Sequence, residues 1–225
     1  MKKTFGAPLA KPRIASDIVL FTIEDGGLKV LLIERSGMPF QGKAALPGGF
    51  LWETESTLDT AVRILRDKAG VQKAYLEQLY TFDKPGRDPR GLVLSVTYLA
   101  LVDRASLAVE ISPTTEQPTL YDVAHLPALA FDHAEILSYA LTRLRSKLEY
   151  TNAVAALLPE RFTFAQLQQA YELILDRELD RRNFRKKFMS LELIVPTGEY
   201  IKAAHRPAEL FRFGSAKPEE LKRWF

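Results

Sequence analysis

The chain has 225 residues, 47% of them hydrophobic and 26% charged, which is ordinary globular usage and excludes a disordered tail protein. It contains no cysteine and no apolar run of about 18 residues, which excludes disulfide scaffolds, thiolate metal sites and transmembrane helices, so we expect a cytoplasmic protein that does not contact a membrane. The net charge of +3 lies entirely in residues 151–225, which hold 13 basic and 10 acidic residues, so the placement of charge is more informative than its sum.

Two strands joined by a tight turn are predicted near the start of the chain. The segments 17–23 and 29–35 are rich in β-branched and large apolar residues, and Glu24–Gly27 between them ends in two glycines, as hairpin turns do. Further strands are predicted over 75–82 and 92–102 by the same composition.

Two long helices are predicted among these strands. The first covers 55–69, and helical spacing assigns its apolar residues to one buried stripe: Leu58, Ala61, Val62, Leu65 and Ala69. The second covers 133–148, with Asp132 as its N-cap. A polar stretch over 112–119 is expected to be a loop. Residues 1–150 are thus predicted as one domain, and 149–162 as the connection to a second domain.

The second domain has the sequence pattern of a helix, a turn, a basic helix and a β-hairpin, which is typical of a winged helix-turn-helix. Thr163 and Gln166 fit a capping box at the start of the first helix. Asp180 can cap a second helix over 181–189. The hairpin is expected to turn at Pro196–Gly198.

The second of these helices is strongly basic. Phe184 and Phe188 are predicted to face the domain core, and the remaining side chains are candidates to contact DNA bases and phosphates: Arg181, Arg182, Asn183, Arg185, Lys186 and Lys187. Arg206, in the turn before the last strand, is placed where a wing reaches the DNA backbone or minor groove. Double-stranded operator DNA is the expected partner, and the alternative is a charged face on a protein–protein module.

Residues 49–71 resemble the Nudix box, whose pattern is G-x5-E-x7-R-E-U-x-E-E-x-G-U, with intact spacing. The matching residues are Gly49, Glu55, Arg63, Leu65, Gly70 and Val71. In that family three helix carboxylates hold a divalent metal against a pyrophosphate, and here their positions are Ile64, Asp67 and Lys68. We therefore expect no catalytic residues, no metal or other cofactor, and a helix that serves only the fold.

Two acidic residues remain as weak metal-ligand candidates in this segment. They are Glu55, which matches the pattern, and Asp67. The simpler explanation for Asp67 is a solvated stripe of ion pairs, because Asp59, Arg63 and Asp67 recur every four residues along the helix.

The ligand pocket of such a domain can persist after its metal site is lost. The polar loop 83–91 brings arginines together on a turn, and guanidinium groups offer paired donors to phosphate oxygens. The predicted ligand-binding residues come from this loop, from the LPGGF bend and from the strand before it: Arg35, Gly48, Gly49, Phe50, Arg87, Asp88 and Arg90. The alternative for Asp88 and Arg90 is a mutual salt bridge that only fixes the loop. His133 is expected to pack at the junction of the two domains.

Together the two patterns resemble the Nudix-related transcriptional regulator (NrtR) family over nearly the whole chain. Further matches are Leu129–His133, Arg182–Lys187 and Arg206–Phe211. The resemblance implies an α+β fold, with an N-terminal Nudix-like α/β/α sandwich with a mixed sheet over 1–150 and a winged helix domain over 151–225.

The same resemblance implies a function. Members are homodimeric regulators that bind operator DNA and sense ADP-ribose or a related nucleotide or sugar metabolite as a small-molecule effector. Two alternatives remain: a Nudix hydrolase acting on ADP-ribose or a related nucleoside diphosphate derivative, and an adaptor that binds another protein through its basic helix.

Overall fold

The computed structural model describes residues 11–107, 118–202 and 207–215. Its helices are α1 (Thr57–Ala69), α2 (His133–Lys147), α3 (Phe164–Leu175) and α4 (Arg181–Met189). Its strands are β1 (Arg13–Glu24), β2 (Gly27–Glu34), β3 (Ala44–Ala45), β4 (Gly48–Phe50), β5 (Tyr75–Phe82), β6 (Val93–Leu101), β7 (Pro118–Asp122), β8 (Phe162–Thr163), β9 (Ile194–Ile201) and β10 (Ala208–Phe213). No helix within these ranges is long and apolar enough to cross a membrane.

A mixed sheet organises the N-terminal part of the chain. Its strand order is β3-β2-β1-β6-β5, with β4 paired to β1 and β7 paired to β2. Strand β1 is parallel to β6 and antiparallel to β2, so the mixed sheet is confirmed. The predicted turn between β1 and β2 is also present, and both Asp25 (φ 50°) and Gly26 (φ 71°) adopt the left-handed conformation that a tight hairpin of this kind requires.

The two faces of this sheet are covered by different helices. Side chains alternate along β1, so Val19 and Phe21 pack with α2, while Ile18 and Leu20 pack with α1. All four are fully buried. The predicted α/β/α sandwich is therefore confirmed.

The predicted apolar stripe of α1 is partly wrong. Leu58 and Val62 are about half exposed, at 48% and 50%, and the buried residues are Thr60, Ala61, Ile64, Leu65 and Ala69. The helix begins later than predicted, because Ser56 and Asp59 form a capping box in which each backbone N–H is bonded by the other's side chain. The buried face is centred on Ala61 and Ile64, so it is rotated about the helix axis relative to the predicted stripe.

The C-terminal part folds as predicted around a cluster of aromatic side chains. Its members pack at ring distances of 5.2 to 6.3 Å: Phe164, Tyr171, Phe184, Phe188 and Phe211. The Thr163–Gln166 capping box is confirmed, and the Asp180 carboxylate accepts the Asn183 N–H at 2.8 Å. Strands β8, β10 and β9 form a small sheet against these helices.

The predicted turn at Pro196–Gly198 is wrong. These residues lie inside β9, which pairs with β10 across a register shift between Glu209 and Phe211. Strand β9 ends at Ile201 and β10 begins at Ala208. Arg206 lies outside the described residues. Of the predicted loop 112–119, only the last two residues are described, and they begin β7.

The connection predicted over 149–162 is part of the core. It contains a short 3-10 helix, Ala153–Leu157, in which Val154 and Leu157 are buried. These side chains belong to one apolar cluster with residues of β1, β6, α2 and α3. The two parts of the chain therefore share a continuous core.

Candidate ligand cavity and DNA-binding surface

A cavity of about 240 Å³ lies between the β4 bend, the loop 83–91 and the start of α2. All seven predicted ligand-binding residues line it: Arg35, Gly48, Gly49, Phe50, Arg87, Asp88 and Arg90. Sequence reasoning missed eight further lining residues, and the four of them that are polar or aromatic are Asp17, Lys68, Phe131 and His133. The one signal for Asp17 is its position as a carboxylate in an otherwise apolar strand.

Arg87 is buried between two carboxylates. It donates from Nε and Nη2 to Asp132 at 2.7 Å each, and its Nη2 lies 3.6 Å from Asp17 Oδ2. Burial opposes the charge of Arg87, but the bonds to Asp132 and the nearby Asp17 outweigh it and raise the pKa of Arg87. Asp132 is the N-cap residue of α2 as predicted, but its carboxylate makes no capping bond and holds Arg87 instead.

Asp88 and Arg90 form the mutual salt bridge that was one of the two explanations offered for them. Arg90 donates from Nη2 to Asp88 Oδ2 at 2.7 Å, and the same carboxylate accepts the Arg90 N–H at 2.9 Å. Burial would raise the pKa of Asp88, but the bonds from Arg90 lower it. The bridge holds the Arg90 guanidinium 5.1 Å from the Phe50 ring and 5.4 Å from the Phe131 ring, so it also orients a cation in the cavity.

His133 lies at the back of the cavity, and its predicted position at the domain junction is wrong. Its Nδ1 accepts the Leu46 N–H at 2.9 Å, so the neutral ring carries its proton on Nε2, which lies 3.9 Å from Asp17 Oδ2. Burial lowers the pKa of His133 and keeps the ring neutral near pH 7. The cavity therefore presents an N–H donor there rather than a charge.

Gly48 in β4 allows this strand to lie close to Asp17 of β1 at the wall of the cavity. A Cβ atom on Gly48 would overlap Oδ1 of Asp17, which lies in the paired strand β1. Asp17 is itself held by the Ser95 hydroxyl, which donates to its Oδ2 at 2.6 Å. Only glycine at position 48 lets the backbone lie against this carboxylate.

The predicted stripe of ion pairs along α1 is wrong in its partners. Arg63 does not pair with Asp59 or Asp67 but donates to Glu55, at 2.7 Å from Nε and 2.9 Å from Nη2. Thr60 also donates to Glu55 at 2.9 Å. The hydrogen bonds from Arg63 are the main cause that lowers the pKa of Glu55 to about 2. Glu55 is thus an ionised carboxylate whose oxygens are already occupied by protein donors.

The residues at this site do not fit a divalent cation. Asp67 points outward and accepts from Arg66 at 2.8 Å, and Ile64 is buried in the core. Across the described ranges, no three His, Cys, Asp or Glu side chains come together as metal ligands. Hard cations such as Mg²⁺ require several oxygen ligands, which this helix does not bring together.

Helix α4 presents a basic, exposed surface. Phe188 is buried and Phe184 is half-buried, and the six predicted DNA-contacting residues on this helix are exposed: Arg181, Arg182, Asn183, Arg185, Lys186 and Lys187. Arg185 also stacks over Phe164 at 4.7 Å and therefore stabilises the domain itself. Arg182 and Lys186, four residues apart, lie on the face opposite the two phenylalanines.

Comparison with known proteins agrees with both parts of this architecture. A model of the NUDIX domain matches residues 11–140, and a model of the NrtR DNA-binding winged helix domain matches residues 154–213. The chain is 36% identical to the ADPR responsive transcriptional repressor NtrR of Acinetobacter baylyi over 206 residues, which is 90% of this chain and 82% of that protein. The chain belongs to the NrtR family.

Solved NrtR structures have the same fold. The crystal structure of Shewanella oneidensis NrtR complexed with a 27mer DNA is 36% identical, with a TM-score of 0.81 over 89% of this chain and 93% of that one. The NUDIX domain of the same protein complexed with ADP ribose is 38% identical, with a TM-score of 0.54 over 60% of this chain and 90% of that one. The prediction of a Nudix-like domain followed by a winged helix is confirmed.

Proposed function

We propose that this NrtR-family protein is a transcriptional regulator that binds double-stranded operator DNA and whose DNA affinity is changed by ADP-ribose. The proposal depends on one observation. A Nudix cavity lined by cations and an exposed basic helix, α4, belong to two parts of the chain that share a continuous apolar core. The NrtR relatives described above, one responsive to ADPR and one solved with DNA, support both halves.

The cavity has the chemistry that a nucleoside diphosphate sugar requires. Four cationic and two acidic side chains line it, so its formal charge is +2 and it attracts a pyrophosphate. The rings of Phe50 and Phe131 offer flat apolar surface beside these cations, which suits a base or a sugar ring. A related sugar phosphate is the other effector class that this lining accepts.

We further propose that the protein binds ADP-ribose without cleaving it. Nudix hydrolysis depends on carboxylates that hold a metal ion and activate water. Positions 64 and 68 carry Ile64 and Lys68, and Glu55 is occupied by Arg63 and Thr60. Release of AMP from ADP-ribose in the presence of Mg²⁺, lost on Glu55→Gln, would instead support the hydrolase alternative.

Helix α2 offers a physical connection between the two sites. Its N-terminus is held at the cavity by the Arg87–Asp132 pair, and near its C-terminus Arg145 donates from Nε to the Ile174 carbonyl of α3 at 2.9 Å. The helix spans about 22 Å between these ends. A ligand that shifts Arg87 therefore biases the position of α3 and, through it, of α4. Coupling between the sites requires that the ligand bind one of these positions better than the other.

We propose a homodimer with a domain boundary near residue 150. A two-fold pair of α4 helices matches a palindromic operator, which gives each half-site its own recognition helix. Analytical ultracentrifugation of the free protein and of its DNA complex measures both states.

The proposal is tested by fluorescence anisotropy of the protein with DNA from upstream of its own gene. We expect tight binding that weakens as salt is raised, and an operator affinity that ADP-ribose changes at least fivefold, the lower range of allosteric coupling. Arg145→Met tests the connection through α2. It should keep the operator affinity of the ligand-free protein and the ADP-ribose affinity of the DNA-free protein, and it should reduce the change in operator affinity that ADP-ribose causes. If the protein does not bind the DNA at any salt concentration, with or without ADP-ribose, the adaptor alternative is favoured.

A further inference from the structure

Of the three Nudix-box positions on α1 where the family has carboxylates, 64, 67 and 68, only Lys68 lines the cavity. Its Nζ donates to the Gly48 carbonyl at 3.0 Å, and the side chain lines the cavity beside Arg87 and Arg90. Its neighbours on the helix do not: Ile64 is buried against Gly49, and Asp67 is 48% exposed and paired with Arg66. The family pattern thus places a carboxylate where this chain places an ammonium group.

This substitution reverses the electrostatics of the helix face. Carboxylates at positions 64, 67 and 68 would attract a divalent cation, whereas the Lys68 ammonium repels one at short range. The one carboxylate that matches the pattern, Glu55, is paired with Arg63 through two hydrogen bonds. Among the residues that the structure describes, the metal-ligand positions of the Nudix box therefore offer a divalent cation no unpaired carboxylate, and Lys68 presents a like charge.

We propose that the Lys68 ammonium takes the place of the metal ion and binds the anionic group of the effector directly, which makes ligand binding independent of divalent cations. The inference rests on the proposed function, because it concerns the same cavity. An ammonium group is a strong point-charge partner for phosphate, and a charge fixed to the protein requires no metal to be recruited first.

The position of Lys68 next to Gly48 gives the cation a defined place. Gly48 lies against Asp17, and the bend it forms is the wall of the cavity that faces α1. The bond to the Gly48 carbonyl anchors the ammonium at this wall, in the same cavity as Arg87, whose guanidinium is fixed by Asp132. A diphosphate in the cavity therefore meets protein cations that are each held in place.

Isothermal titration calorimetry with ADP-ribose, in EDTA and in Mg²⁺, tests this directly. We expect the dissociation constants of the wild type in the two buffers to agree within about twofold, and Lys68→Met to weaken binding about tenfold or more, the loss expected for one charge-assisted bond. Lys68→Arg should restore most of the affinity. Lys73→Met, which removes the same charge from an exposed site just after α1, should leave it unchanged.

The outcomes separate this inference from the proposed function. Wild-type binding that requires Mg²⁺, or an affinity that Lys68→Met leaves unchanged in a variant shown by thermal unfolding to be folded, would overturn the inference and leave the regulator intact. Inorganic pyrophosphate is titrated in parallel in EDTA, and it should lose affinity in Lys68→Met as ADP-ribose does. A wild type that binds neither compound would overturn the inference and the proposed effector together.

Discussion

Arg182→Ala is expected to weaken operator binding about 10- to 100-fold, the range for losing one good arginine contact to a base. Arg182 is exposed on the face of α4 opposite Phe184 and Phe188, so its loss removes a DNA contact and leaves the domain core intact. The measurement is the dissociation constant for operator DNA by fluorescence anisotropy at two salt concentrations.

Two comparisons make the Arg182 result specific. Arg66→Ala removes an exposed arginine from α1, which packs in a different apolar cluster from α4, and should leave operator affinity unchanged. ADP-ribose affinity should be the same in both variants and in the wild type. Arg185→Ala is also expected to weaken DNA binding, but Arg185 stacks on Phe164, so its effect mixes contact with stability. Wild-type operator affinity in Arg182→Ala would contradict the assignment of α4 as the recognition helix.

Arg87→Ala is expected to lower the free energy of unfolding by about 3 to 5 kcal/mol, in addition to weakening ADP-ribose binding. The Arg87 side chain is only 5% exposed, and its removal leaves the buried Asp17 and the half-buried Asp132 without their shared cation. The sequence predicts that Arg87→Ala weakens ligand binding and leaves the DNA affinity of the ligand-free protein alone. The ion pair seen in the structure adds the stability cost. Urea unfolding followed by circular dichroism measures it.

A second substitution isolates the cause of that loss. Arg87→Ala combined with Asp132→Asn removes both charges of the pair and should recover part of the lost stability. Arg66→Ala, which breaks the exposed pair with Asp67, should leave the free energy of unfolding close to that of the wild type. An Arg87→Ala protein as stable as the wild type would mean that Arg87 is held less tightly than the structure indicates.

Much of the fold could be predicted because its signals are local. The Thr163–Gln166 capping box and the turn around Gly26 depend on a few adjacent residues, and both form as expected. Helical periodicity identified α1 and three of its buried residues, but it wrongly included Leu58 and Val62, which lie next to the true stripe. The spacing of apolar residues on a short helix does not by itself decide between two adjacent faces.

The site was predictable only where a motif carried it. The LPGGF bend and the loop 83–91 are continuous segments, so their residues could be named from the resemblance and are found together around the cavity. Asp17 and His133 lie far from these segments in sequence and are brought together by the pairing of β1 with β4 and by the start of α2. No sequence pattern around Asp17 or His133 indicates that these residues line the cavity.

The most direct test of the account is whether DNA and ADP-ribose bind reciprocally. Calorimetry gives the ADP-ribose dissociation constant of the free protein and of the protein saturated with operator DNA. Thermodynamic linkage requires the ratio of these two constants to equal the factor by which ADP-ribose changes operator affinity. We predict a ratio of at least fivefold that matches that factor, and a ratio of one would contradict the claim that the two sites are coupled.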